Sequence, residues 1–188
     1  MPPIGIAWAY ILLVGVLVTA ALIDLRRGVV PNYLTLPTII VGLVGHSIVG
    51  GFEGNSQSLG LYGALAGLAL GFIPMFVAWK MGGVGGGDVK LMAAIGAMTG
   101  WRFTLSALLF GLLVAAIMAI FVMTHKKIVK QTLIRVWHCL LLALAVKKTF
   151  DPTTAQSPKV PVAVAFCVGA IIALIETLWF ASGTLLGL

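Results

Sequence analysis

The sequence predicts an all-α polytopic membrane protein of about six transmembrane helices. Three observations carry this. The 188 residues are 61% hydrophobic and 9% charged, with a mean hydropathy of +1.14, too apolar to supply the polar surface a soluble domain needs. Uncharged runs of spanning length recur along the chain, separated by short polar pieces. The basic residues fall between those runs, so the net charge of +7 reads as membrane topology rather than as affinity for nucleic acid. No internal repeat or low-complexity segment is evident, and residues 1–188 make one compact membrane domain. The 23 glycines suggest closely packed helices.

The first run, Ile4 to Ile23, lacks the basic start and small-residue cleavage site of a signal peptide. It ends at Asp24-Leu25-Arg26-Arg27, and the two arginines place this end in the cytoplasm. Pro31-Asn32 starts the next helix, Tyr33 to Gly50 returns across, and the loop Gly51 to Ser58 carries no basic residue. Leu59 to Trp79 crosses back, with a kink expected at Pro74, and Lys80 marks its cytoplasmic end. A glycine loop follows, Gly82-Gly83-Val84-Gly85-Gly86-Gly87, closed by Asp88.

Val89 to Trp101 is short for a span. Topology requires it to cross, because Phe103 to Thr124 is a full span that leads into the basic cluster His125-Lys126-Lys127-Ile128-Val129-Lys130. A helix starting near Val84 meets that need. Asp88 is then slightly submerged, with protein or a cavity around it. Gln131 to Val146, bearing Arg135 and His138, reads as an interfacial helix, and Asp151 to Pro158 as a cytoplasmic loop. Val160 to about Phe180 is the last span, leaving both termini outside. The lysine-rich loops suit orientation and anionic lipids.

Only five residues are acidic, and Asp24 and Asp88 occupy membrane-helix ends on one side. An ionisable group there is a functional-site hypothesis. Two carboxylates sharing a proton can activate water and protonate a leaving group. Glycines beside them would let a substrate backbone approach. Helix direction alone casts Asp88, at a helix start, as the base, and Asp24, at a helix end, as its protonated partner. Other readings stand beside this one. Asp88 suits an N-cap, and Asp24 an interfacial residue. The pair also suits a small proton-coupled or ion-conducting membrane transporter, although that would place the carboxylates deeper and in inverted repeats. Lys90 either snorkels to head groups or tunes Asp88. Glu176 is expected to pair with Arg102, the lone outer cation. His46, His125 and His138 have no ligand spacing, and Cys139 and Cys167 form no CxxC, so no metal or cofactor is expected.

Gly85-Gly86-Gly87-Asp88-Val89-Lys90-Leu91 resembles the GxGD motif of the type IV prepilin peptidases. Asp24 with Val30-Pro31-Asn32 looks like that family's first aspartate and its downstream Ile-Pro-Asn signature. Lys159-Val160-Pro161-Val162-Ala163-Val164-Ala165 is similar to the segment that opens its last helix. The resemblance implies a GxGD aspartic protease-like bundle in the bacterial inner membrane. It implies a hydrolase that removes the short basic leader of prepilins or pseudopilins at the cytoplasmic face, in pilus biogenesis and secretion. By carry-over, Asp24 and Asp88 are the catalytic pair, Gly85, Gly86 and Gly87 form the substrate loop, and Pro31, Asn32 and Lys90 support them. The implied partners are a prepilin and membrane lipids, with no nucleic acid and no cofactor. Long members of the family carry paired CxxC motifs linked to N-methylation. This sequence opens on a membrane span without them, which looks like the short form of Flp, tight-adherence pili, and no methyltransferase activity is expected. A non-catalytic assembly subunit, or a GxGD protease acting on signal-peptide remnants or preflagellin-like substrates, remains the alternative. The Val30-Pro31-Asn32 signature favours prepilins.

Overall fold

The computed structural model describes residues 4–54, 59–125 and 162–183. The expected interfacial helix over Gln131–Val146, the Asp151–Pro158 loop and Cys139 lie outside the described residues. Five helices among the described residues are long and apolar enough to cross a membrane. They are α1 (Ile4–Arg27), α2 (Asn32–Gly50), α3 (Gly60–Lys80), α4 (Gly86–His125) and α5 (Val162–Gly183). Large apolar side chains such as Ile11, Ile48, Ile73, Phe121 and Trp179 point outward over much of the surface. In water so much exposed apolar area would drive association, whereas in a bilayer it faces lipid. The chain is a multi-pass membrane protein.

α4 is two helices joined at Gly100, whose φ of 78° and ψ of 177° leave the helical region. Glycine takes this left-handed φ without a Cβ penalty. The break yields six helical segments from five elements, as the sequence predicts. In the first half of α4, Met92 abuts Gly71 and Gly96 abuts Gly67, so this half runs antiparallel to α3. Beyond the break, Phe103 meets Tyr10 of α1 with ring centroids 5.3 Å apart, and it shares a small apolar pocket with Ala170 and Leu174 of α5. Gly111 then abuts Phe166 and Gly169. As α4 advances from Phe103 to Gly111, its α5 neighbours move back toward Val162. The second half therefore returns toward the end of the bundle where the first half began.

The short segment that topology forced across the membrane proves to be the core helix. Val89 and every residue from Leu91 to Gly100 are buried. A helix apolar on all sides is one wrapped by protein, so it needs no lipid-spanning length. Its small residues admit close neighbours: a Cβ on Gly96 would strike the Gly67 carbonyl, and one on Gly42 would lie 2.8 Å from the Ala97 carbonyl oxygen.

Two polar expectations resolve here. His46 is packed, as its lack of ligand spacing suggests: it is fully buried, its Nε2–H donates to the Met98 carbonyl at 2.8 Å, and its ring tilts against Trp8. The expected Arg102–Glu176 ion pair does not form. The Arg102 guanidinium instead lies 5.3 Å from the Trp101 ring centre, because the adjacent indole face is within reach of a side chain that exits at the Gly100 break.

Candidate active site

Two tight turns present the acidic residues. The first ends α1: Gly28 takes φ 65°, and its N–H bonds the Asp24 carbonyl at 2.7 Å. This left-handed cap stops the helix just after Arg26 and Arg27, whose charges suit a helix C-terminus. The chain then extends to Pro31 (φ −76°, ψ 144°), which holds the N-cap position of α2. Its carbonyl accepts the Leu34 N–H at 3.2 Å and the Thr35 N–H at 3.5 Å. Proline suits the position because it has no N–H to leave unpaired.

The second turn spans Met81 to Gly85, between α3 and α4. Gly85 is the N-cap of α4, and its carbonyl accepts the N–H groups of Asp88 at 3.1 Å and Val89 at 3.4 Å. The Asp88 carboxylate reaches back, with Oδ2 taking the Gly85 N–H at 3.2 Å. Asp88 is therefore not the N-cap but the third helical residue. It fills the place of the usual Glu or Gln in a capping box. A Cβ on Gly85 would sit 3.1 Å from that Oδ2.

The two turns dock on each other. A Cβ on Gly87 would lie 3.1 Å from the Val30 Cβ and 3.2 Å from its backbone N and O, so Val30 rests on bare backbone. Gly86 faces the Trp79 indole. Of the three glycines expected to form a substrate loop, only Gly85 is exposed. Gly86 and Gly87 are half-buried and admit neighbouring elements instead.

Lys90 Nζ donates to Asn32 Oδ1 at 2.8 Å, tying the start of α4 to the start of α2. Lys90 is thus engaged by Asn32. We expect Lys90→Met and Asn32→Ala each to destabilise by about 0.5–1.5 kcal/mol, with the double variant losing little more than either single one. Thermal unfolding of the four proteins in detergent checks this, and full additivity would exclude the strap.

This docking brings together two carboxylates from separate helices. Asp24 is 7% exposed and Asp88 8% exposed, and their charges lie within interaction range. The Asp24 carboxylate lies within hydrogen-bonding reach of the backbone N–H groups of Ala163 and Val164, in the first turn of α5. Its Oδ2 is buried without a partner. Both carboxylates therefore meet helix N-termini. Asp24 therefore feels the N-terminal end of α5 as well as the C-terminal end of its own helix, and the two dipole ends oppose each other there. A pair of this kind, beside an exposed glycine turn, can share a proton, polarise a water and protonate a leaving nitrogen.

Residues 11–120 match the type IV leader peptidase family, which is more than half of the chain. The chain belongs to that family. The matched segment contains both aspartates and both turns and stops before α5. Among its relatives is the prepilin leader peptidase/N-methyltransferase of Aeromonas hydrophila, 41% identical over 116 residues, 60% of this chain and 39% of the relative. The protein of that name from Xanthomonas campestris pv. campestris is 34% identical over 109 residues, 54% of this chain and 36% of the relative. The one from Bacillus subtilis (strain 168) is 30% identical over 107 residues, 57% of this chain and 41% of the relative. The chain thus spans about two fifths of the length of these curated relatives. No solved structure matches.

Within this family member, sequence reading placed Asp24, Asp88, Pro31, Asn32 and Lys90, and the structure gathers all five around the paired turns. It missed the part played by Ala163 and Val164, because backbone N–H groups leave no signature in side-chain identity. The available signals were Pro161, which precedes a helix start, and the likeness of Lys159 to Ala165 to the segment that opens the family's last helix, neither of which tells which backbone groups face Asp24.

Proposed function

We propose that the chain is a membrane aspartic endopeptidase that removes the short basic leader of type IV prepilins or pseudopilins, of the Flp type. It works at the cytoplasmic face of the bacterial inner membrane and without N-methylation. The observation that carries this is the convergence of two buried carboxylates, Asp24 and Asp88, beside the exposed backbone of Gly85 in a chain of the leader peptidase family. One carboxylate takes a proton from water as the oxygen attacks the scissile carbonyl, and the other protonates the departing nitrogen. The C–N bond breaks, and the pair ends with its proton redistributed, ready to reset.

Burial strengthens this chemistry by keeping bulk water from the pair. The exposed turn around Gly85 offers room for a substrate backbone, so leader specificity would rest on main-chain approach as much as on side chains. A transporter reading places paired carboxylates at mid-depth. Asp88 instead stands in the first turn of α4, and Asp24 in the last turns of α1. The proposal of no methylation rests on Cys139 and Cys167, which form no CxxC pair within these residues.

Co-expression with an Flp-type prepilin tests the reading. The expected product lacks its leader, begins at the residue after a glycine, and has an unmodified amino terminus by mass. A methylated product would refute the activity limit alone, and an uncut Flp-type prepilin would refute the substrate assignment. Gly85→Ala is expected to accumulate normally but cleave about tenfold more slowly, because its Cβ would press on the Asp88 oxygen. Wild-type rates in that variant would remove Gly85 from the site.

A further inference from the structure

We infer that the first turn of α5 is the positioning element of the acidic pair, holding Asp24 through the N–H groups of Ala163 and Val164. The inference rests on the peptidase reading for its catalytic consequence, though not for the contact itself. Neither residue lies in the segment matching the family.

Five observations lead here. α1 and α4, which carry the two aspartates, touch each other only slightly, whereas α5 packs on both and most broadly on α4. α5 therefore joins the docked turns in linking the helices that carry the two aspartates. The Ala163 and Val164 N–H groups lie within reach of the Asp24 carboxylate, belong to a helical first turn and have no intrahelical acceptor. One turn further along α5, the Cys167 S–H donates to the Leu17 carbonyl of α1 at 2.9 Å, a second tie across the same seam. On the other flank, Gly111 of α4 abuts Phe166 and Gly169 with no room for a side chain. Finally, Asp24 is 7% exposed while its Oδ2 stays unpartnered. A buried carboxylate oxygen without a donor is costly unless something else occupies it during function. With the carboxylate anchored by N–H groups, the free oxygen is held toward the position a water or a substrate would take.

The consequence is specific. A carboxylate on α1 could otherwise turn about its side-chain bonds, and a shift of about 1 Å in a reacting group can slow a reaction by about 10²-fold. Anchoring by backbone rather than by a side chain explains why no polar residue marks the spot. Cys167 has a positioning part through its packing and its weak donor, and its thiol is not a nucleophile in this scheme.

Two measurements test it. The first is amide hydrogen exchange at Ala163 and Val164 in the full-length wild type and in Asp24→Ala. Those two amides are expected to exchange at least about tenfold faster in Asp24→Ala, with the rest of α5 unchanged. Equal exchange in the two proteins would overturn the contact. The second is steady-state cleavage by Val164→Pro, which deletes one donor where proline is sterically tolerated. The expected result is a kcat lower by about 10–10²-fold with KM little changed, while Val164→Ala, which keeps the N–H, restores the rate. Full kcat in Val164→Pro would overturn the positioning role. If wild type cleaves no prepilin yet the two amides are protected by Asp24, the contact stands and the peptidase reading fails. The exchange experiment stays decisive even if Val164→Pro folds poorly.

Discussion

Asp24→Asn and Asp88→Asn are each expected to reduce leader cleavage by about 10³-fold or more, at unchanged membrane levels. Each substitution keeps side-chain shape and an acceptor oxygen. In Asp24→Asn the amide oxygen would still take an α5 N–H. In Asp88→Asn it would still take the Gly85 N–H, at the site where Asp88 Oδ2 accepts it at 3.2 Å. Stability should therefore fall by no more than about 1–2 kcal/mol. The proton-carrying capacity is lost outright, since an amide neither accepts a proton from water nor donates one as an acid. The two residues act as a unit, so the double variant should be no slower than the worse single one. Mass analysis of a co-expressed prepilin at matched enzyme levels reads all three. Substantial cleavage by either single variant would break the paired-carboxylate mechanism.

Gly96→Val is expected to prevent accumulation of folded protein, while Gly15→Val leaves it intact. Gly96 lies at the crossing of α3 and the buried half of α4, where even a Cβ would run into the backbone of Gly67 and Leu68. The obstacle is main chain on a packed helix, so it cannot swing aside as a flexible side chain can. Overpacking of this kind costs roughly 3 kcal/mol or more, a large share of the stability of a small protein. The same contact fixes how deep the core helix sits, and so where Asp88 lies. Gly15 has nothing within 4 Å of its hypothetical Cβ, and an added side chain there meets only lipid and gains some helix propensity. Comparing detergent-extracted monodisperse protein and its unfolding temperature separates the two. A Gly96→Val variant as abundant and stable as wild type would contradict the close crossing.

Much of this was legible in the sequence because the bilayer imposes simple rules. A spanning run must be apolar and about 20 residues long, and basic residues collect on one side. These rules gave the helix order, and the basic cluster after His125 forced the short segment from Val89 to cross. They could not say why that segment is short. Its burial depends on the glycines of α2 and α3 that receive it. Pro74 lies within α3, which stays helical from Gly60 to Lys80, and the non-helical break at Gly100 falls in the middle of an apolar stretch where a lone glycine gives little warning. The helix start after the glycine loop was placed within a few residues, at Gly86 rather than near Val84.

The candidate site divides the same way. Asp24, Asp88, Pro31, Asn32 and Lys90 announced themselves as charged or turn-forming residues at the ends of apolar runs. Their pairings did not. Val30 against Gly87, Lys90 on Asn32, and the α5 amides on Asp24 join residues far apart in the chain, and nothing in local composition encodes such a meeting. Glu176 and Arg102 illustrate the converse. Both sit at the outer side in the sequence reading, but shared depth does not give a shared azimuth, and Arg102 lies on Trp101.

By itself the sequence determined the membrane class, the order of the helices, and the placement of two acidic residues at helix ends, because hydrophobic run length and turn chemistry are local properties. Tertiary structure alone decided which helix is the core, which glycines are contacts rather than loop, and which backbone amides hold Asp24. Those outcomes depend on rotation and depth of one helix against another, set by packing between surfaces that are uniformly apolar in sequence.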